Sequence, residues 1–300
     1  MNSRRGWMVG LVLPWLVGCS SVRLTYGQGP MLAYWWLDSY ADFNSEQTPR
    51  VKAALDDWFS WHRATQLSDY AALMATAQRL AVDNVTPAQV CRFTHSAELR
   101  LSSAFDPAMA PAAEILRTLS TTQVRHLEQR FNKGNEEWQR DHLRGSAIER
   151  REAAAKRWVD RAESVYGALD DAQRKLVATG LQASPYDAKA WFEERRARQL
   201  DALRTLRQLL TDRTDQPGTE AALRAMALHL VQSPRADHRT LKERTDQAQC
   251  ALIAQLHNST SATQRQRAVK QFKSWEDDLR TLAAEATPVK GSAVLSPGGG

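Results

Sequence analysis

The sequence has none of the short motifs that announce a chemistry. There is no G-x-S-x-G, no H-E-x-x-H and no glycine-rich phosphate loop. No catalytic residue is therefore assigned, and neither an enzyme activity nor a cofactor is expected. Metal-ligand clusters are also missing. His95 and Glu98 stand one helical turn apart, but no second such pair accompanies them, so no metal is expected. Blocks of one charge sign are absent too. The formal net charge is +6, but its cations are interleaved with acids, which argues against a nucleic-acid partner. Arginine greatly outnumbers lysine, a bias that a GC-rich genome produces without any role in recognition. Nothing reads as a sheet.

What the chain does have begins at its first residues. Arg4 and Arg5 precede an apolar stretch from Trp7 to Val17, interrupted only by Gly10 and Pro14. That stretch falls far below the roughly 20 residues needed to cross a bilayer. A charged start, a short apolar run and a small residue at Gly18 make a secretory leader over 1–18. Leu16-Val17-Gly18-Cys19 resembles the lipobox of bacterial lipoproteins. The resemblance implies cleavage before Cys19, a diacylglyceryl group on its thiol and acylation of the new amine. Several acyl chains anchor stably, because each buried methylene adds about 0.8 kcal/mol. Aspartate after the lipidated cysteine retains such proteins in the inner membrane. Ser20 stands there instead, which implies the outer membrane, facing the periplasm.

With Cys19 lipidated, two cysteines remain, Cys91 and Cys250, in an oxidising compartment. Two readings stay open for them: a disulfide closing a long loop, or two buried free thiols.

The mature chain reads as an all-α, multi-helix bundle. Residues 19–30 are expected to form a lipidated tether, in which Val22, Leu24 and Tyr26 alternate with polar residues as in a brief extended segment. A helical body is expected over 31–286, with about ten helices and a sub-boundary at 212–218, where Asp, Thr, Pro and Gly cluster. Residues 287–300 hold little to bury, and a disordered tail is expected there. Four helix starts share a signature: Thr86 with Gln89, Ser120 with Gln123, Asp170 with Gln173, and Ser261 with Gln264. Each predicts a capping box, in which the cap oxygen takes one orphan amide and the glutamine reaches back to another.

The candidate binding residues are aromatic. Trp35, Trp36, Trp58 and Trp61 lie close behind Cys19, with Asp38 and Asp42 nearby. They could form the core between two helices, a membrane-interface belt, or a groove with the aspartates as polar contacts. The large area that aromatics bury favours the core. Consecutive Trp35 and Trp36 point about 100° apart on a helix, so at least one reaches the core's edge.

The segment from Val22 to Phe43, including Leu32-Ala33-Tyr34-Trp35-Trp36-Leu37-Asp38, resembles the opening of an uncharacterised family of proteobacterial lipoproteins. The likeness continues through Arg50-Val51, Trp58 to His62 and Leu67 to Leu73, and recurs at Leu169 to Gln173. That family is a domain of unknown function, so the resemblance implies an address rather than an activity. Leu119-Ser120-Thr121-Thr122-Gln123 and Leu169 to Gln173 are similar to the L-T-x-x-Q motif of Spy-like periplasmic chaperones, although neither has threonine in second place. The expected role is a lipid-anchored, non-enzymatic protein that meets the membrane through its lipid and binds another envelope protein or lipid. A client-binding chaperone or stress sensor is the alternative. A hydrolase acting on cell wall or lipid comes third.

Overall fold

The computed structural model describes residues 21–286. Within that range the backbone is helical, with no strand. The elements are α1 (Ser21–Gly27), α2 (Gly29–Ala41), α3 (Gln47–Thr65), α4 (Leu67–Val82) and α5 (Pro87–Ser103). A 3-10 turn at Asp106–Ala108 leads to α6 (Met109–Leu116), α7 (Thr121–His142) and α8 (Ala147–Tyr166). Next come α9 (Asp171–Ala183), α10 (Ala188–Thr211), α11 (Gln216–Val231), α12 (Ala236–Asn258) and α13 (Ala262–Ala284). The leader at 1–18, Cys19 and the tail at 287–300 lie outside the described residues.

One expectation is corrected. The stretch read as an extended tether is helix from Ser21 to Gly27. Tertiary contacts decide this. The Arg23 guanidinium pairs with Glu285, the C-cap of α13, at 2.8 Å, and the Tyr26 hydroxyl meets His62 Nδ1 on α3 at 2.8 Å. Alternating polar and apolar residues set no strand where no neighbouring strand exists to pair with. The expected break does occur: α1 stops at Gly27, and Pro30 sits in the first turn of α2, where its missing N–H is no loss. Residues 212–218 form the turn between α10 and α11 and the first residues of α11.

The closest helix pair is α4 with α13. Small side chains permit it: Ala71 and Ala268 are fully buried, and Ala77 and Ala81 nearly so. Around this pair, α3 and α8 pack on α13, and α8 packs on α9. α12 lies on α5 and α9, α7 on α2 and α10, and α6 on α11. Val159, Ala162, Leu169, Val177 and Leu256 form one apolar core where α8, α9 and α12 meet. A second core gathers Val85, Val90 and Ala254 around a disulfide between Cys91 on α5 and Cys250 on α12, with Cα atoms 5.4 Å apart.

All four capping boxes form, with both reciprocal bonds present in each. Ser146 and Glu149 make a fifth at the start of α8. Three of the four glutamines, Gln123, Gln173 and Gln264, also reach across the fold. Gln123 Nε2 donates to Gln47 Oε1 at 2.7 Å and to the Asp42 carbonyl at 2.9 Å. At the other end of the chain, Gln173 and Gln264 exchange both amide bonds at 2.9 Å. The helix N-termini are thus clasped in pairs, α3 with α7 and α9 with α13. Gly167 turns the chain from α8 toward α9 at φ +79°, a conformation in which any other residue is strained.

Candidate functional site

The structure divides the aromatic candidates into two groups. Trp58 and Trp61 belong to α3 and gather around His62. The Trp58 ring stacks on His62 at 4.6 Å and its Nε1 donates to the Ala104 carbonyl at 2.9 Å. Trp61 is half-buried, 6.3 Å from both Trp58 and His62. This group is interior packing, and the Trp58 indole N–H is satisfied, as burial requires. Trp35 and Trp36 lie on α2 and are 57% and 61% exposed. Trp36 finds a ring neighbour in Tyr40 of its own helix at 5.1 Å.

The two aspartates sit at the end of α2. Asp38 Oδ1 accepts from the Phe43 backbone N–H at 3.0 Å, closing the turn after α2. Asp42 adopts a left-handed conformation as the α2 C-cap, and its carbonyl serves Gln123. Asp38 is thus engaged in the α2–α3 turn through its carboxylate and Asp42 through its backbone.

His62 is the centre of the α3 group. Its Nδ1 meets the Tyr26 hydroxyl at 2.8 Å and its Nε2 meets the Tyr70 hydroxyl at 3.3 Å. Burial lowers the His62 pKa below the ordinary 6.5 and pushes Tyr26 up to about 12. A neutral imidazole donates one bond and accepts the other, so both nitrogens are occupied. A similar pair recurs beside the core where α8, α9 and α12 meet. The Tyr166 hydroxyl meets His257 Nδ1 at 3.0 Å, and His257 Nε2 meets the Asp83 carbonyl at 2.8 Å. Burial again lowers the histidine and raises the tyrosine, to about 12. Neither tyrosine is a nucleophile at neutral pH, and each histidine nitrogen is engaged inside the protein.

A third cluster joins α10 to the start of α12. Glu194 is 4% exposed and binds Arg198 and Arg235, each with a 2.6 Å hydrogen bond. Burial alone would raise its carboxyl, but the hydrogen bonds from Arg235 and Arg198 outweigh that and hold it below its usual range. His238 is buried beside it, edge-on to Trp191 at 5.0 Å. The ring nitrogens of His238 and Trp191 Nε1 have no hydrogen-bond partner among the described residues. Burial lowers the His238 pKa, consistent with a neutral ring. Glu98, half of the His95–Glu98 pair, faces Lys242 at 3.6 Å.

Small cavities occur among the described residues. One, of about 110 Å³, lies among Leu116, Leu206, Leu209 and Leu210, with Arg117 and Arg213 at its edge. Another has the same volume and lies beside Tyr166, His257 and Phe272. Each holds only a few methylenes' worth of space.

A family model, described as a family of unknown function (DUF6279), matches residues 39–239. This chain belongs to that family. No curated protein and no solved structure matches it. The matched span opens within α2 and closes in the first turn of α12. It takes in His62 with Tyr70 but not Tyr26, the first glutamine clasp and Glu194. Cys250 lies beyond it, as do Trp35 and Trp36. Sequence reasoning missed the Tyr–His pairs and the Glu194 cluster. Tyr166 and His257 lie 91 residues apart and Glu194 and Arg235 lie 41 apart, separations that no local spacing signals, while the i,i+4 pair Glu194–Arg198 is local but reads as a solvated helix face.

The disulfide fits an oxidising compartment outside the cytoplasm. Among the described residues, no helix is long and apolar enough to cross a membrane.

Proposed function

We propose that this protein is an envelope component held to a membrane by lipid on Cys19, and that its helical body binds another envelope protein or lipid without catalysing a reaction. The cysteine pairing carries the reading. The disulfide consumes two of the three cysteines and calls for export. That leaves Cys19 as the one cysteine outside it, directly after a leader whose final residues resemble a lipobox. The titratable clusters support the non-enzymatic part. The Tyr26–His62–Tyr70 group, the Tyr166–His257 pair and the Glu194–Arg198–Arg235 group are interior networks whose members bind one another. Ser20, where aspartate would retain such a protein in the inner membrane, supports the outer membrane, facing the periplasm, as its location.

Cell fractionation tests this. The wild type should stay with membranes through a carbonate wash, and Cys19→Ala behind a leader that is cut without lipidation should be released by it. A leader-free Cys19→Ala protein that resists the wash as the wild type does overturns the anchor.

A second reading, a client-binding chaperone, draws support from exposed apolar side chains away from the anchor: Leu99, Leu101 and Phe105, and Leu228, Leu230 and Val231. It predicts that the purified protein suppresses aggregation of unrelated unfolded proteins. Absence of suppression at molar excess removes it.

A further inference from the structure

We propose that the outward face of α2, formed by Met31, Leu32, Trp35 and Trp36, lies in the headgroup layer of the membrane that carries the Cys19 lipid. The inference rests on the anchored reading above and adds which face of the body meets the bilayer.

The two sides of α2 differ in what covers them. The inward side is packed. The Tyr34 hydroxyl meets Thr48 Oγ1 at 3.1 Å and its ring carries Lys52 Nζ at 4.6 Å, both from α3. The Tyr40 ring lies 6.1 Å from Phe131 on α7. Gly29 approaches α3 so closely that a β-carbon there would stand 2.4 Å from the Phe59 ring. The outward side is open along Met31 to Trp36, and only at its C-terminal end does another element reach it, where the Ser39 carbonyl meets His126 on α7 at 3.1 Å. Met31, Leu32, Trp35 and Trp36 are 42, 43, 57 and 61% exposed, and no residue of α2 is fully buried.

At about 100° per residue, Gln28, Met31, Leu32, Trp35, Trp36 and Ser39 share a sector about 140° wide. No residue of α2 inside it is charged, Asp38 lying about 20° beyond its Met31 edge. The Ser39 hydroxyl is already spent on the Trp36 carbonyl at 2.7 Å. Two adjacent tryptophans flanked by methionine and leucine suit the layer between water and hydrocarbon. There the indole body meets acyl chains while its N–H stays hydrated.

Chain length selects a bilayer over other occupants. α1 begins two residues after Cys19, and α2 begins at Gly29. Two extended residues reach at most about 7 Å, and helix adds about 1.5 Å per residue. Met31 is therefore within about 25 Å of the lipidated residue in every arrangement that the chain allows. The face is thus held beside lipid at an effective concentration that a diffusing partner does not reach.

The test uses full-length protein extracted from membranes and reconstituted into phosphatidylethanolamine–phosphatidylglycerol vesicles with brominated acyl chains. Tryptophan fluorescence is read in the wild type, in Trp35→Ala/Trp36→Ala and in Trp138→Phe, a control on α7. The wild type and the control should be quenched, and the double variant should lose most of that quenching. Leu32→Glu, at an exposed position, should reduce quenching of the remaining pair while leaving the helical circular dichroism unchanged. Equal quenching in the wild type and the double variant overturns the inference. So does a dimer in detergent that the double variant dissolves, because the face would then be a contact between copies. The mass of the Cys19 peptide from the same sample separates the two claims. Acylated Cys19 without Trp35 and Trp36 quenching sinks this inference alone, whereas an unmodified thiol sinks both.

Discussion

Gln47 and Gln123 show what a single buried amide does in this fold. Gln123 Oε1 accepts from the Ser120 amide at its own helix start, while its Nε2 ties α7 to Gln47 and to the Asp42 carbonyl. Gln123→Ala leaves several of these partners unsatisfied in a site that is nearly closed to water. Each such loss costs about 1–3 kcal/mol. Urea unfolding should show a lower midpoint with an unchanged slope, and a midpoint equal to the wild type's would refute the clasp. The histidines govern the pH response. Burial holds the folded pKa values of His62, His257 and His238 below 6.5. Below that pH the unfolded chain binds more protons than the folded one. Stability is therefore full above about pH 6.5 and declines as the pH falls toward the folded values. Glu194 acts in a lower window. Its folded pKa is depressed, so its contribution is present above 4.5 and is lost as the pH falls through its folded value. Urea midpoints at about pH 7.5 and 5.5 isolate the histidine window, and a midpoint that rises on acidification would contradict it.

At the scale of elements, two contacts dominate. The Cys91–Cys250 disulfide spans 159 residues and joins α5 to α12. Replacing both cysteines with alanine should cost about 2–5 kcal/mol, because the unfolded chain regains the freedom of a long loop. A thiol count on denatured protein, with and without reductant, verifies the bond itself. The α4–α13 contact depends on small side chains. Ala268→Leu forces methylenes into a filled interface and should lower stability by about 1–3 kcal/mol, read as a drop in Tm. These elements were unequally legible in the sequence. The four Gln-type capping boxes mark their helix starts because the cap and its N3 partner are adjacent in the chain. The fifth, at Ser146, uses Glu149 and is no less local, but it breaks the glutamine pattern. α6 is short and follows a proline-containing turn, so its period is weak. α1 is helical through contacts with α3 and α13, which no local pattern encodes.

For the whole molecule, the sequence placed four tryptophans behind the leader but could not say which side of α2 would be covered. Both of its sides are apolar: Tyr34, Leu37 and Tyr40 on one, Met31, Leu32, Trp35 and Trp36 on the other. Spacing at three and four residues finds such a helix and is silent about its orientation. Packing on α3 and α7 resolves it, leaving the tryptophan pair outside and Trp58 within. The proposed lipid on Cys19 would join that exposed face, the disulfide and the expected leader into one account. Mass spectrometry of the N-terminal peptide from membrane-extracted protein tests this most directly. The account predicts a chain that starts at Cys19 and carries the added mass of a diacylglyceryl group and a further acyl chain. A free thiol at Cys19, or a peptide that still contains the leader, would contradict it.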